Sequence, residues 1–355
     1  MNRLLIGSSD KTTLLLQYLS RDFPNGLILI DPTGTLAEAA ADTVPVELTQ
    51  RTLYLDPSDL EFPVGLNVLD GVAPDARHTV AESICAYFEA MWPNGWGAQS
   101  NFILANCLRL LLDTPGSTFL GVLRLLQDPE YPKFLDRCLA NCTDPVVQKN
   151  WGVIKSWQPS QYATATSPLQ NKIGTLLMSP VIRNILGQQH STFALDRGHI
   201  IIANLDRAKI GDATAFLLGS LLITRSKGPI YINDLGFYAS DYLATFLPQD
   251  RFTIACQFLD ELPKKLQQAV LAIPDKAVFK TTKEDADRLA FYVGIANPTV
   301  LTDLDLAEAR LRDEVIRPTA PPATPRLEAI KRRSRACYSR PRDKVELALQ
   351  HYFAA

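Results

Sequence analysis

Pro229-Ile230-Tyr231-Ile232-Asn233-Asp234-Leu235 is an apolar run that ends in two polar residues. Ile230, Tyr231 and Ile232 are β-branched or aromatic, types that pack well on a pleated surface. Pro229 stands at the first position of the run, where a missing N–H disturbs a strand least. A short continuous apolar run bounded by turn formers reads as a strand buried on both faces, the pattern of a parallel sheet covered by helices. Asn233 and Asp234 then fall at its C-terminal end, where open α/β sheets place their ligands and where turns also begin.

Similar runs occur at 3–7, 27–31, 51–56, 199–203, 252–256 and 276–280. Helical periodicity lies between them at 11–22, 210–225, 262–272 and 283–293, and this alternation predicts a doubly wound, mostly parallel α/β core. From about 77 to 177 the strand signal vanishes and helical spacing recurs at 77–91, 98–112, 118–127 and 144–157. The expected division is a core of 1–75 and 165–315 with an all-α insertion at 76–164. A Pro-rich linker at 317–325 then leads into a basic C-terminal tail, the last segment being 316–355. Lys331, Arg332, Arg333, Arg335, Arg340 and Arg342 supply that tail's charge, and Val345 to Phe353 closes the chain as a short amphipathic segment.

A chain of 355 residues can bury a sizeable core, and a net charge of −2 gives no global field towards nucleic acid or membrane. Any such attraction must come from a local patch. The six cysteines are scattered, and only Cys138 and Cys142 are close, without the second pair that a structural zinc needs. This usage fits a reducing cytoplasm. The four tryptophans, Trp92, Trp96, Trp151 and Trp157, all lie in the helical region and read as core anchors. The sequence shows no secretory signal and no run of about 20 apolar residues.

Gly7-Ser8-Ser9-Asp10-Lys11-Thr12 joins the first strand to the first helix. A phosphate loop of the form GxxxxGK(S/T) turns backbone N–H groups towards phosphate oxygens, uses its lysine on the terminal phosphates and its hydroxyl on magnesium. Lys11 and Thr12 match the last two roles. Asp10 stands where the second glycine belongs, and Gly7 lies two residues too near Lys11 to be the first. Two readings stand: a shortened phosphate loop, or a helix N-terminus capped by Ser9 or Asp10. At the strand end of 229–233, Asn233 would meet the metal and Asp234 would act as base on water. Gln257, after 252–256, could sense a terminal phosphate. Arg183, Arg207 and Arg225 are arginines that could reach a neighbouring subunit's phosphate.

Several segments, in this order, resemble the HerA/FtsK-type P-loop ATPases, above all the TraG/TraD-like coupling proteins of conjugation and type IV secretion. Ile30-Asp31-Pro32-Thr33-Gly34-Thr35-Leu36 resembles the second strand and its turn. Pro63 to Leu69 resembles a Leu-Asn-x-Leu segment. Ser167 to Lys172 and Ile182 to Gln188 resemble the helix and turn after the insertion, and Tyr231 to Ser240 the Walker B strand and its extension. Cys256-Gln257-Phe258 resembles the sensor glutamine.

The resemblance spans most of 3–300 and implies a RecA/FtsK-type fold, ATP and magnesium as cofactors, DNA as partner, and a ring, usually of six subunits. It also implies a cytoplasmic protein that can dock on a membrane secretion complex at the inner face of the membrane. The membrane anchor that such families often carry is not seen ahead of the first strand. Gly7, Ser8, Ser9, Lys11 and Thr12 are carried over as nucleotide-binding, Thr12 and Asn233 as metal-binding, and Asp234 and Gln257 as catalytic. The departures cluster in one site: a short loop without its second glycine, Asn233 for the metal aspartate, Asp234 for the catalytic glutamate, and Lys280 where an arginine often stands. The expectation is a DNA-translocase-like motor domain with reduced or lost hydrolysis. The alternatives are a non-catalytic assembly subunit working beside an active paralogue, and a plain nucleotide-binding regulator.

Overall fold

The order in which the strands lie decides where the chemistry can be. Among the described residues nine strands occur: β1 Arg3–Ile6, β2 Leu27–Asp31, β3 Thr52–Leu55, β4 Ile200–Asn204, β5 Ile230–Ile232, β6 Phe252–Cys256, β7 Asp275–Phe279, β8 Ala309–Leu311 and β9 Glu314–Ile316. They form one sheet in the order β3-β4-β2-β5-β6-β1-β7-β8-β9. All neighbours from β3 to β7 are parallel, and β8 and β9 add an antiparallel edge. The computed structural model describes residues 2–127, 132–195, 198–312 and 314–354.

The mostly parallel sheet flanked by helices is as expected. Every residue of β2, β4 and β6 is buried, as strands covered on both faces must be. Helix Thr12–Asp22 buries Leu14, Leu15, Leu16 and Leu19, the helical-spacing stripe seen in the sequence. These leucines join Leu5, Leu29, Ile200 and Phe279 in one core cluster. Ile6 is level with Cys256 and Val278, and Ile232 with Ile30 and Ile254. The C-terminal ends of β1, β2, β5, β6 and β7 therefore open on the same edge. Helix Thr35–Thr43 and the β8–β9 hairpin carried no clear sequence signal; these strands are three residues each, too short to show a period.

The chain divides into two compact units, 1–56 with 195–334 and 57–194 with 335–355. The first holds the sheet. The second holds helices Arg77–Met91, Ala98–Asp113, Gly121–Leu126, Pro132–Asn141, Pro145–Lys155, Pro159–Met178, Pro180–Leu186 and Arg342–Ala354. Trp151 is the largest fully buried side chain among the described residues and donates from Nε1 to Asn106 O, whereas Trp92 and Trp96 stack half-buried against each other.

These boundaries differ from the expected ones. Residues 57–75 join the helical unit because Asn67 Nδ2 donates to Ser117 O (2.8 Å) and Gln189 O (2.7 Å), and Leu66 N to Ile185 O. Residues 165–194 belong there too, since helix Pro159–Met178 runs unbroken through Pro168. The basic tail is folded. Helix Leu327–Tyr338 places Ile330 in the sheet unit's core, and Ser334 Oγ accepts from Tyr54 N, while Val345 and Leu349 of the last helix are buried in the helical unit.

Candidate functional site

The loop after β1 is shaped by one glycine. Gly7 has φ +137°, and a Cβ there would stand 2.8 Å from the backbone and Cβ of Phe279. Only a residue without a side chain lets β1 leave the sheet so close to β7. Gly7 N then donates to Cys256 O, and Ser8 donates from both N (2.8 Å) and Oγ (2.9 Å) to Lys280 O. The loop is thus pinned to the ends of both neighbouring strands. Helix Thr12–Asp22 follows directly, and its first amide, Thr12 N, donates to Asp10 Oδ1 at 2.9 Å.

Lys11 folds back on its own loop. Its Nζ donates to Gly7 O (2.6 Å) and Ser9 O (3.0 Å). Burial lowers its pKa, and the nearby Cys256, Asp10, Glu261 and Asp234 offset that only in part. Ser9 is buried, and its Oγ has no hydrogen-bond partner. An unsatisfied buried hydroxyl costs free energy unless something outside the chain completes it.

At the end of β5, Asn233 is tied downward. Its Nδ2 donates to Asp31 Oδ1 at 2.9 Å, and its N to Ile30 O. Asp31, wholly buried at the end of β2, also accepts from Thr33 N (3.0 Å), Thr33 Oγ1 (2.7 Å) and Ala37 N (2.8 Å). A buried carboxylate that accepts four donors is well satisfied, and an aspartate at 233 would remove one of them and add a second charge. The amide at 233 is therefore the residue that Asp31 requires. Asp234 adopts the left-handed conformation at φ 58°, ψ 67°, which Asp and Asn tolerate better than most residues. Arg207 Nη1 lies 4.0 Å from Asp234 Oδ2, with its guanidinium over the Phe237 ring.

Strand β6 lies between β1 and β5, so Gln257 at its end falls between the loop and Asn233-Asp234. Gln257 N and Phe258 N both donate to Glu261 Oε1, at 2.6 and 3.1 Å. Glu261 fits because position 236 is glycine; a Cβ there would stand 2.8 Å from its Cδ. Burial pushes the Cys256 thiol well up, so it is an inert neighbour.

These groups line one cavity of about 380 Å³, made by residues 8–12, Thr33, Thr35, Asn233, Asp234, Ala255, Cys256 and Gln257. Of the residues singled out in the sequence, Ser8, Ser9, Lys11, Thr12, Asn233, Asp234 and Gln257 line it, and Gly7 holds its base. Arg207 stands beside Asp234; Arg183 lies in the helical unit, donating to Leu177 O, and Arg225 does not line the cavity. Sequence reasoning missed Asp31's partnership with Asn233, and it missed Thr33, Thr35 and Glu261. The terminal Asp of an apolar strand was a usable signal for the first. Glu261 gave none, because it sits in a short turn four residues beyond Gln257.

As a phosphate site the cavity offers the Lys11 ammonium and the two hydroxyls of Ser9 and Thr12 at one sheet edge, and this donor set fits a phosphate. Asp10 opposes it, adding charge of the wrong sign and occupying the Thr12 amide. The two magnesium ligands expected from the sequence are weak ones: Thr12 Oγ1 and Asn233 Oδ1 are neutral oxygens, and this hard ion prefers carboxylates, of which Asp10 and Asp234 line the cavity. Among the described residues no group of three or more His, Cys, Asp or Glu could hold a metal ion. Nor, among them, is any helix long and apolar enough to cross a membrane.

No protein-family model matches the chain, and no curated protein matches it by sequence. Solved structures do match. VirB4 of Thermoanaerobacter pseudethanolicus is similar with a TM-score of 0.55 and 11% identity, covering 92% of this chain and 90% of that one. The plasmid coupling protein TrwB, in complex with the non-hydrolysable ATP analogue ADPNP, is similar with a TM-score of 0.55 and 12% identity, covering 92% of this chain and 86% of that one. The fold is thus P-loop NTPase-like and is shared with a plasmid coupling protein, the class that the sequence motifs resemble.

Proposed function

We propose that the chain is a coupling-protein-like motor domain that still binds ATP and hydrolyses it slowly or not at all. The observation that carries this reading is the 380 Å³ cavity in which the altered loop, Asn233-Asp234 and Gln257 face one another. TrwB, which shares the fold, holds an ATP analogue in its solved complex, and this supports a nucleotide as the ligand.

In this reading Lys11 leaves its two loop carbonyls for the terminal phosphates, and the orphaned Ser9 hydroxyl gains an acceptor. Thr12 and Asn233 would hold magnesium, which supplies charge neutralisation at the phosphates. Asp234 would accept a proton from water, and Gln257 would sense the terminal phosphate. Each of these parts is weakened by a visible feature. Asp10 keeps Thr12 N from the ligand, Asn233 brings no charge, and Asp234 is one methylene shorter than a glutamate. Loss of metal affinity slows chemistry more than it weakens nucleotide binding, because charge neutralisation matters most in the transition state.

Self-association into a ring and contact with DNA belong to the same proposal, as does docking to a membrane secretion complex. They rest on the resemblance and the shared fold. The deciding experiment measures ATP binding and turnover with magnesium and DNA, for the wild type and Lys11→Ala. Binding lost in the variant, with little or no turnover in either protein, supports the reading. Turnover at about 1 s⁻¹ or faster, the ordinary enzyme range, would overturn the claim of weakened hydrolysis. Binding unaffected by Lys11→Ala would overturn the site.

A further inference from the structure

The helical unit contains a larger cavity, of about 700 Å³, lined by Arg124, Arg137, Arg340 and Lys344 together with His190 and His351. Four permanent cations face one space, and no Asp or Glu lines it among the described residues. We propose that this cavity is a second ligand site, for a small polyphosphorylated molecule of the nucleoside-triphosphate class.

The charge is not a by-product of a generally basic surface. The C-terminal cations singled out in the sequence are mostly consumed within the fold. Lys331 pairs with Glu328, Arg333 donates to Thr49 O and Gln50 O, Arg335 pairs with Asp59, and Arg342 with Glu346 and Glu61. Of the others, Arg332, Arg340 and Lys344 have no carboxylate partner among the described residues, and the last two line the cavity. Lys344, Ala348 and His351 recur at helical spacing, so one face of helix Arg342–Ala354 forms a wall.

The opposite cations are held in place. Arg124 is 2% exposed; its Nη1 donates to Tyr352 O at 2.6 Å, and its guanidinium lies over the Phe134 and Tyr352 rings at 4.0 and 4.8 Å. Arg137 lies 5.2 Å from the same Phe134 ring. A guanidinium fixed by stacking is pre-oriented for paired hydrogen bonds to phosphate oxygens. Gln188, also in the lining, is buried and its Oε1 has no donor, an acceptor suited to a sugar hydroxyl or a base N–H. His190 is engaged by Asp70 at 3.2 Å.

Size and shape favour a small ligand over a nucleic-acid strand. The volume lies within the roughly 300–1,000 Å³ usual for small-molecule sites. A strand needs a groove that tracks many phosphates, whereas here the most buried cation, Arg124, is reached only by a group that enters the cavity. A triphosphate brings three to four negative charges to four cations.

The test is calorimetric titration of the full chain carrying Lys11→Ala, which disables the loop of the sheet unit. The probes are inorganic tripolyphosphate, ATP and a single-stranded oligonucleotide. Tripolyphosphate and ATP should bind, more weakly as salt rises. Arg340→Gln with Lys344→Gln should weaken both by on the order of 100-fold, about tenfold per charged hydrogen bond removed. Both positions are exposed, so folding should survive; equal thermal melts check this. Arg137→Gln gives an independent single-site loss. Equal tripolyphosphate affinity in the parent and the double variant overturns the proposal, as does binding of the oligonucleotide but of neither small probe.

Discussion

Restoring an aspartate at position 233 should damage this protein. In a working metal site the Asn233→Asp change would look like a repair. Here Asn233 Nδ2 lies 2.9 Å from Asp31 Oδ1, and Asp31 is wholly buried. Two carboxylates at that distance repel by about 6 kcal/mol at an effective dielectric constant near 20. The introduced carboxyl escapes by holding a proton. At pH 7 that costs at most about 4 kcal/mol, given an ordinary carboxyl pKa near 4 and 1.36 kcal/mol per unit. The expected loss of stability is therefore about 2–4 kcal/mol at pH 7, with a ceiling of about 1.5 kcal/mol at pH 5. The sign follows from linkage. The folded variant binds one proton more than its unfolded chain above pH 4, so its stability falls as pH rises through that window. All four tryptophans lie in the helical unit, so their fluorescence reports on the wrong part. Hydrogen exchange of the β2 and β5 amides, at pH 5 and 7 in both proteins, is the suitable assay. A loss below about 1 kcal/mol at pH 7, or an equal loss at both pH values, would refute the reasoning.

Three further outcomes are expected. Gly7→Ala should cost about 2–4 kcal/mol in denaturant melts, because the new Cβ meets Phe279 backbone at 2.8 Å and φ is positive. Asp234→Gly should stabilise by about 0.5–1 kcal/mol and Asp234→Glu destabilise, since position 234 is left-handed; thermal melts without nucleotide distinguish the two. Lys11→Met should raise the melting temperature without nucleotide, because burial lowers the Lys11 pKa and so opposes its charged form. That gain should be full well below the lowered pKa and vanish as pH climbs towards 10.5; a gain that persists at high pH would mean that packing, not charge, is responsible.

The core strands were legible because burial on both faces writes continuous apolar runs, and the helix Thr12–Asp22 because burial on one face writes a period. The β8–β9 edge was not, since three-residue strands carry no period. The tail misled for a different reason. Clustered Arg and Lys after a Pro-rich linker read as a separate basic tail, but Ile330, Val345 and Leu349 are spaced to bury one side of each helix while the charges find Asp59, Glu61 and Glu346. Those partners are about 280 residues away or within the same helix, and composition contains no record of either pairing.

At the site, residue types and their order along the chain were enough to nominate Lys11, Thr12, Asn233, Asp234 and Gln257, because a parallel sheet puts its strand ends on one edge whatever the details. Tertiary structure alone decided what each nominee is free to do. Whether Lys11 is spent on Gly7 O or Asn233 on Asp31 depends on which groups come within about 3 Å, the reach of a hydrogen bond. Local sequence specifies backbone preference; contacts between distant segments exist only once the chain has closed around them.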